Sequence, residues 1–290
     1  MTELTRNPRK SRSPIEKNWM LFFLPSGEAF IHYDLPATSD STRGRTLAKM
    51  LGNGLTTPNL TDPLESPCLH NAFEEEIAKQ HASYNSTNKP KREVEHDKRK
   101  LMKWHQATNA LRLVLCNRSD QKCKDTPENS IFFALVHRKV SNALKLPMRY
   151  ERFFIAWSST PPFHMIGISQ HPILMRNESA LGWTPSESWD DDPENAKIVA
   201  ATKARIPKNA SEPYGGKGHW ASFTYTVSIS YAWGRKPRKA SHGDRSEDMH
   251  MGYLDDEVIL AIGVDDEGGV FAQVEAKELV QCMRACSGRN

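Results

Sequence analysis

Charged and polar side chains stand at the ends of five strand-like stretches, and their types could support ligand chemistry. An arginine at a strand end can hold an anion or a hydroxyl through its fork of N–H donors. Adjacent aspartates can hold hydroxyls, although Asp at a turn also bonds its own backbone. Taken alone, His137-Arg138 favours a surface pair that caps a strand, and Asp265-Asp266 favours a turn. The stretches are Glu16-Lys17-Asn18, His105-Gln106-Ala107-Thr108-Asn109, His137-Arg138, Tyr150-Glu151-Arg152 and Asp265-Asp266.

Short apolar runs separated by turn signals surround these stretches and predict β-strands. "WMLFFL" ends at the turn "PSGE" and is followed by "AFIHYDL", which predicts a hairpin. Later runs such as "SIFFALVHRK", "YERFFIAWSS", "TYTVSISY" and "DEVILAIGVDD" predict further strands, and "AKELVQCMRAC" predicts a short helix. Strands in groups without helices between them predict an all-β fold: a sandwich, barrel or propeller.

The domain organisation follows from polarity along the chain. Residues 1–13 are basic and polar, which predicts a disordered leader. Residues 14–286 are predicted to form one domain. Long polar insertions near 70–103, 184–218 and 235–250 interrupt it, as loops on a rigid β scaffold do.

Composition excludes several classes of function. Lys and Arg number 39 against 35 Asp and Glu, a formal net charge of +4, and no basic cluster gives the footprint of nucleic-acid binding. No stretch approaches the ~20 apolar residues of a membrane-spanning helix, and the first residues lack the apolar segment of a signal peptide. No histidine joins the cysteines at zinc-finger spacing, so neither a metal nor a cofactor is predicted.

Sequons and cysteines point towards the lumen of the secretory pathway. Cys116 and Cys123 flank "CNRSDQKC", and Cys282 and Cys286 flank "CMRAC". Each pair is a candidate disulfide, with reduced cysteines as the alternative because spacing alone does not determine pairing. Localisation stays open between a lumenal piece of a longer protein and a cytosolic protein with chance sequons. The candidate N-glycosylation sites are Asn59, Asn85, Asn117, Asn177 and Asn209.

The order of the strand-end stretches resembles one family layout. "EKNW", a hairpin, a strand ending in "HR", the run "PPF…ISQHPIL" and an "IGVDD" strand end follow one another along the chain. This order is similar to that of the C-terminal blades of five-bladed β-propeller carbohydrate-active proteins, among them mannoside phosphorylases and propeller-type mannosyltransferases. The resemblance implies an all-β, partial five-bladed propeller of about three blades with a short C-terminal helix, over about residues 14–280.

The resemblance also implies a funnel that binds sugar. His137 and Arg138 match the fourth-blade pair, which in the phosphorylases helps to bind phosphate and sugar. The blades that carry the family's acid–base aspartate have no counterpart before Pro14. Glu16 is the one candidate proton donor, but Lys17 beside it favours its charged form. The full set of implied substrate-binding residues is Glu16, Lys17, Asn18, His137, Arg138, Asp265 and Asp266.

Three functional hypotheses follow. The first is a carbohydrate-active protein of glycosyltransferase or phosphorylase type without a complete catalytic set, so enzymatic activity is left open. The alternative is a non-catalytic module that binds glycan or another protein on the same scaffold. The third is a cytosolic β-protein without a sugar role. Open sheet edges in an incomplete propeller further predict self-association.

Overall fold

The computed structural model describes residues 4–7, 19–35, 45–61, 102–140, 149–173, 224–232, 251–264 and 267–286. The statements below concern these residues. Their elements are β1 (Met20–Phe23), β2 (Ala29–Asp34), β3 (Thr46–Lys49), β4 (Met102–Val114), a 3-10 turn (Pro127–Asn129), β5 (Ser130–Val140), β6 (Arg149–Ser158), β7 (Met165–Ser169), β8 (Thr224–Tyr231), β9 (Met251–Tyr253), β10 (Glu257–Val264), β11 (Gly268–Glu275), α1 (Ala276–Gln281) and β12 (Met283–Ala285).

The strands form three sheets. The N-terminal sheet has the order β1-β2-β3, the central sheet β12-β7-β6-β5-β4-β9, and the C-terminal sheet β11-β10-β8. Neighbouring strands are antiparallel, except that β9 pairs with β4 in parallel. The expectation of a mostly β protein is confirmed. Among the described residues no sheet closes on itself, and a propeller is not shown.

Both faces of the central sheet are buried. Alternate side chains of β5 point to opposite faces, so Phe132 packs towards the N-terminal sheet and Phe133 towards the C-terminal sheet. The same division holds on β6 for Phe153 and Phe154. This burial explains why "IFFALV" and "FFIAW" are continuous apolar runs, whereas a strand with one wet face would alternate.

The chain before β1 also packs on the structure. Thr5 forms a parallel bridge with Leu55 and is buried, and the Asn7 N–H donates to Thr56 Oγ1 at 3.0 Å. The guanidinium of Arg6 lies over the Tyr33 ring, 4.8 Å from its centroid. Residues 4–7 therefore do not fit the disordered leader predicted for residues 1–13. Thr5 and Asn7 are held through their backbone N–H groups, and Arg6 is held through its contact with Tyr33.

The predicted insertions fall largely outside the described residues. Those near 184–218 and 235–250 do so entirely. The one near 70–103 ends earlier than predicted, because β4 begins at Met102. The predicted C-terminal helix is also shorter, since Met283 pairs with Ser169 and β12 joins the edge of the central sheet.

One of the two candidate disulfides is present in the structure, and the other is not. Cys116 and Cys123 are joined by a disulfide, as their spacing allowed. Cys282 is a free, exposed thiol, whereas Cys286 is disulfide-bonded, so the expected pairing of these two is wrong. The reason is β12, which is extended between them. Four extended residues separate the two Cα atoms by roughly 13 Å, well beyond the ~7 Å that a disulfide spans.

Candidate functional site

The stretch from His105 to Asn109 forms a bulge inside β4 rather than a strand end. Gln106 pairs with Val136 and Ala110 pairs with Ala134, so three residues of β4 oppose Leu135 alone. Thr108 Oγ1 accepts the Leu135 N–H at 3.0 Å, in place of the backbone carbonyl that the bulge removes. Thr108 therefore has a structural role.

Asn109, in the same bulge, joins the central sheet to the C-terminal sheet. Its Nδ2 donates to the Ile229 carbonyl at 3.0 Å, and its Oδ1 accepts the Ile229 N–H at 3.1 Å. Nearby, the Tyr231 hydroxyl donates to the Arg112 carbonyl at 2.7 Å. Because both contacts follow the same order along β4 and β8, these two strands run in the same direction.

Three side chains lie side by side across β4, β5 and β6, and we call them the cross-strand row: His105, His137 and Arg152. His105 is paired with His137, and His137 with Arg152. His137 and Arg152 have 0% of their surface exposed, and His105 is half-buried. All three lie near one end of the central sheet, at the start of β4 and β6 and the end of β5.

Arg152 is held by neutral oxygen atoms at the beginning of β8. Its Nε–H donates to Thr226 Oγ1 at 2.8 Å, and its Nη2 donates to Thr224 Oγ1. Its Nη1 donates to the Ile173 carbonyl at 3.2 Å. These bonds fix the plane of the guanidinium beneath β8.

His137 is neutral and presents a buried N–H. Its Nε2 accepts the Thr226 N–H at 3.3 Å. This N–H is available because β8 has a bulge at Val227, which has no partner where β8 pairs with β10. Burial, and then the charges of Arg152 and His105, hold the pKa of His137 well below its usual range. With Nε2 as acceptor, the proton lies on Nδ1, and this atom is buried without a hydrogen-bond partner among the described residues.

Two tyrosine rings pack around the row. The Tyr225 ring centroid lies 4.3 Å from that of His137 and 5.0 Å from that of Tyr150. The Tyr150 ring is 6.3 Å from that of His105. Both tyrosines are half-buried, and burial raises the pKa of Tyr225, with a smaller contribution from Tyr150. The arrangement combines aromatic surface with buried donors.

Strand β10 ends at this same end of the sheets. Gly263 pairs with Tyr225 and Val264 with Thr224, and the chain then continues into Asp265 and Asp266. The structure thus brings together the three polar stretches that contain His105, His137 and Arg152. The last described residue of β10, Val264, lies at the same end of the sheets. Asp265 and Asp266 themselves lie outside the described residues, as do Glu16, Lys17 and Asn18.

His137 and Arg138 do not share a face. Neighbours on a strand project to opposite sides of the sheet, and Arg138 lies towards the N-terminal sheet, its guanidinium 5.0 Å from the Phe153 ring centroid. There its Nε–H donates to Glu151 Oε2 at 2.7 Å. The two side chains of this ion pair are only 8% and 13% exposed. The expected joint action of His137 and Arg138 on one ligand therefore does not fit their placement.

Sequence reasoning missed the part played by β8. Thr224 and Thr226 are buried at positions where a core strand would carry apolar residues. The pattern Thr-x-Thr in "SFTYTVS" is the signal that could have identified them, because buried hydroxyls require a hydrogen-bond partner. Arg152 belongs to one of the five candidate stretches, but the substrate-binding set implied by the resemblance does not include it.

Carboxylates near the core are committed to arginines elsewhere. Besides Glu151, Asp125 pairs with Arg112, and Asp256 with Arg118. Across the described ranges no group of three or more His, Cys, Asp or Glu residues could hold a metal ion. In that part of the chain, no helix has the length and apolar character needed to cross a membrane.

Comparison with known protein families, with curated proteins and with solved structures gives no match.

Proposed function

We propose that the protein binds a carbohydrate, and that the ligand is taken up at the end of the sheets where the cross-strand row lies. One observation carries this proposal: the buried Nδ1–H of His137, which has no hydrogen-bond partner among the described residues, lies beside the rings of Tyr150 and Tyr225. Sugars are recognised by such combinations, because donors bond their hydroxyls and aromatic faces cover their C–H surface.

The packing of the sheets supports a propeller-like arrangement as part of the same proposal. In chain order, β1-β2-β3 and β4-β5-β6-β7 are antiparallel meanders. The strands β8-β10-β11 are also antiparallel neighbours, although β9 comes between β8 and β10 along the chain and pairs with β4. The first strands of the three sheets are β1, β4 and β8, and β4 contacts both of the others. Consecutive propeller blades stack face to face around their innermost strands. We propose that the three sheets correspond to three such blades, in agreement with the order of the sequence motifs.

Binding without catalysis is the version of the proposal that the described residues favour. Glycosyl transfer needs a proton donor at the leaving oxygen. Glu151, Asp125 and Asp256 are each paired with an arginine instead. Within the proposed substrate-binding set, Glu16, Asp265 and Asp266 are the carboxylates that could supply that donor in a glycosyltransferase or phosphorylase.

The experiment is a titration of the purified protein by calorimetry and ligand-observed NMR. The probes are mannose, mannobiose, mannose phosphate, inorganic phosphate and a nucleotide sugar. We expect one sugar probe to bind. The Tyr225→Ala variant should raise its Kd about tenfold, because losing the contact between the ring and the sugar reduces the binding free energy by about 1.4 kcal/mol.

Phe271→Ala is the matched control, because Phe271 is an aromatic residue of the same sheet that is 80% exposed on its outer side. This variant should bind like the wild type. The proposal fails if no sugar binds, or if the two variants bind equally well.

Self-association through the sheet edges remains a prediction. Analytical ultracentrifugation over a range of concentrations tests it, and a monomer throughout the range would contradict it.

A further inference from the structure

We propose that Asn117 is N-glycosylated and that Asn59 is not. Both are in sequons, Asn117-Arg118-Ser119 and Asn59-Leu60-Thr61. They are the two sequon asparagines that lie within the described ranges. This inference does not depend on the proposed carbohydrate ligand, since it concerns a covalent modification at another place in the fold.

Asn117 offers a free amide on a well-held loop. It is exposed in the turn that follows β4, and among the described residues its side-chain amide makes no hydrogen bond. Its neighbours are fixed on both sides. Cys116 is in the disulfide with Cys123, and the Cys116 carbonyl accepts the Leu254 N–H at 3.0 Å.

Arg118, on the other side, is tied to the turn before β10. Its backbone N–H donates to Asp255 Oδ1 at 2.5 Å, and its Nε–H donates to Asp256 Oδ1 at 2.9 Å. Its guanidinium also lies over the Tyr253 ring, 4.5 Å from the centroid. A glycan on Asn117 would therefore extend into solvent without displacing any of these contacts.

Asn59 uses its amide to hold the N-terminal sheet. Its Oδ1 accepts the Leu47 N–H at 3.0 Å and the Thr61 N–H at 3.2 Å. Its Nδ2 donates to Thr61 Oγ1 at 2.8 Å, and that hydroxyl in turn donates to the Arg45 carbonyl at 2.7 Å. A sugar on Nδ2 would break into this network beside a buried strand.

Position and compartment agree with the assignment. The Cys116–Cys123 disulfide beside Asn117 is typical of oxidising compartments, which are also where asparagine glycosylation occurs. Asn117 lies three residues beyond Val114, the last residue of β4, whereas His105 lies near Met102, the first. The length of the strand separates them by roughly 30 Å, so the glycan would leave the cross-strand row uncovered.

The modification is a group transfer from a polyprenyl-pyrophosphate-linked oligosaccharide. The Asn117 Nδ2 forms a bond to the anomeric carbon and loses one proton. The bond from that carbon to the pyrophosphate oxygen breaks, and the polyprenyl pyrophosphate leaves with the electron pair. No oxidation or reduction is involved.

The experiment is peptide mapping of the protein isolated from its native host, after release of N-glycans by an amidase in heavy-oxygen water. Release converts a glycosylated asparagine to labelled aspartate. We expect the label at Asn117 and none at Asn59. Unmodified Asn117, or a label at Asn59, would overturn the proposal.

Two variants made in the same host sharpen the test. Ser119→Ala removes the acceptor sequence at an exposed residue and should abolish the glycan at Asn117 with an unchanged melting temperature. Asn59→Gln should keep that glycan. Retention of the glycan in Ser119→Ala would contradict the assignment.

Discussion

The side chain of Asn109 pairs with Ile229 as a neighbouring strand would, donating to its carbonyl and accepting its N–H. The two hydrogen bonds between this side-chain amide and the Ile229 backbone join the central sheet to the C-terminal sheet. This contact is possible because the β4 bulge turns Asn109 towards β8. A residue that the sequence marked as a candidate for chemistry is thus a structural connector.

Asn109→Ala should lower the free energy of unfolding by about 2–3 kcal/mol, because it leaves two polar groups of buried Ile229 without partners. Urea denaturation measures this as a lower midpoint at a constant m-value. Asn53→Ala is the matched control, since Asn53 makes one hydrogen bond in an exposed turn, to the Leu55 N–H. A loss no larger than that of the control would show that the Asn109 contact is not formed.

Glu151→Gln should destabilise the protein by about 3–5 kcal/mol, because it removes the carboxylate charge that faces the buried Arg138 guanidinium. The double variant Arg138→Met/Glu151→Leu should recover most of this loss. Glu275→Gln serves as the control, since its pair with Lys277 is 43–47% exposed and solvent screens the attraction between the two charges. A double-mutant cycle by chemical denaturation gives the coupling, and an additive result would argue against a buried pair.

Two buried histidines make stability depend on pH. Burial, and then the charge of Arg45, hold the pKa of His32 well below its usual range, and burial does the same for His137. The unfolded chain therefore binds more protons than the folded one below about pH 6.5. Stability is fully present above that pH and falls as the pH decreases, by up to about 1.4 kcal/mol per pH unit for each histidine.

The measurement is the urea midpoint between about pH 7.5 and 5, above the usual range of carboxyl titration. His32→Leu should make the slope less steep by the share of one histidine. An equal slope in the wild type and in His32→Leu would mean that folding does not lower the pKa of His32.

Loss of the Cys116–Cys123 disulfide should lower stability by about 2–3 kcal/mol, the chain-entropy value for a loop of this length. The double variant Cys116→Ser/Cys123→Ser tests this by thermal denaturation. Cys282→Ser should have no effect, because that thiol is free and exposed. If the two serine variants melt alike, the disulfide does not contribute to the stability of the fold.

Sequence reasoning succeeded where the signal is local and strong. The long apolar runs of β5 and β6 predict strands even when the strands that pair with them are unknown. It failed for β3 and β9, because "TLAK" and "MGY" are too short to show a period and form strands only by pairing with β2 and β4. It also failed for Cys282, since pairing depends on whether the intervening backbone is helical or extended.

The sequence by itself determined that the chain is mostly β, and it left a Cys116–Cys123 disulfide as one of two alternatives. The tertiary structure alone decided which side chains meet. Alternation along β5 separates His137 from Arg138, and cross-strand register joins His137 to Arg152 instead. The physical reason is that a strand's period of two and its register are set by its partners in the sheet, which no single stretch of sequence contains.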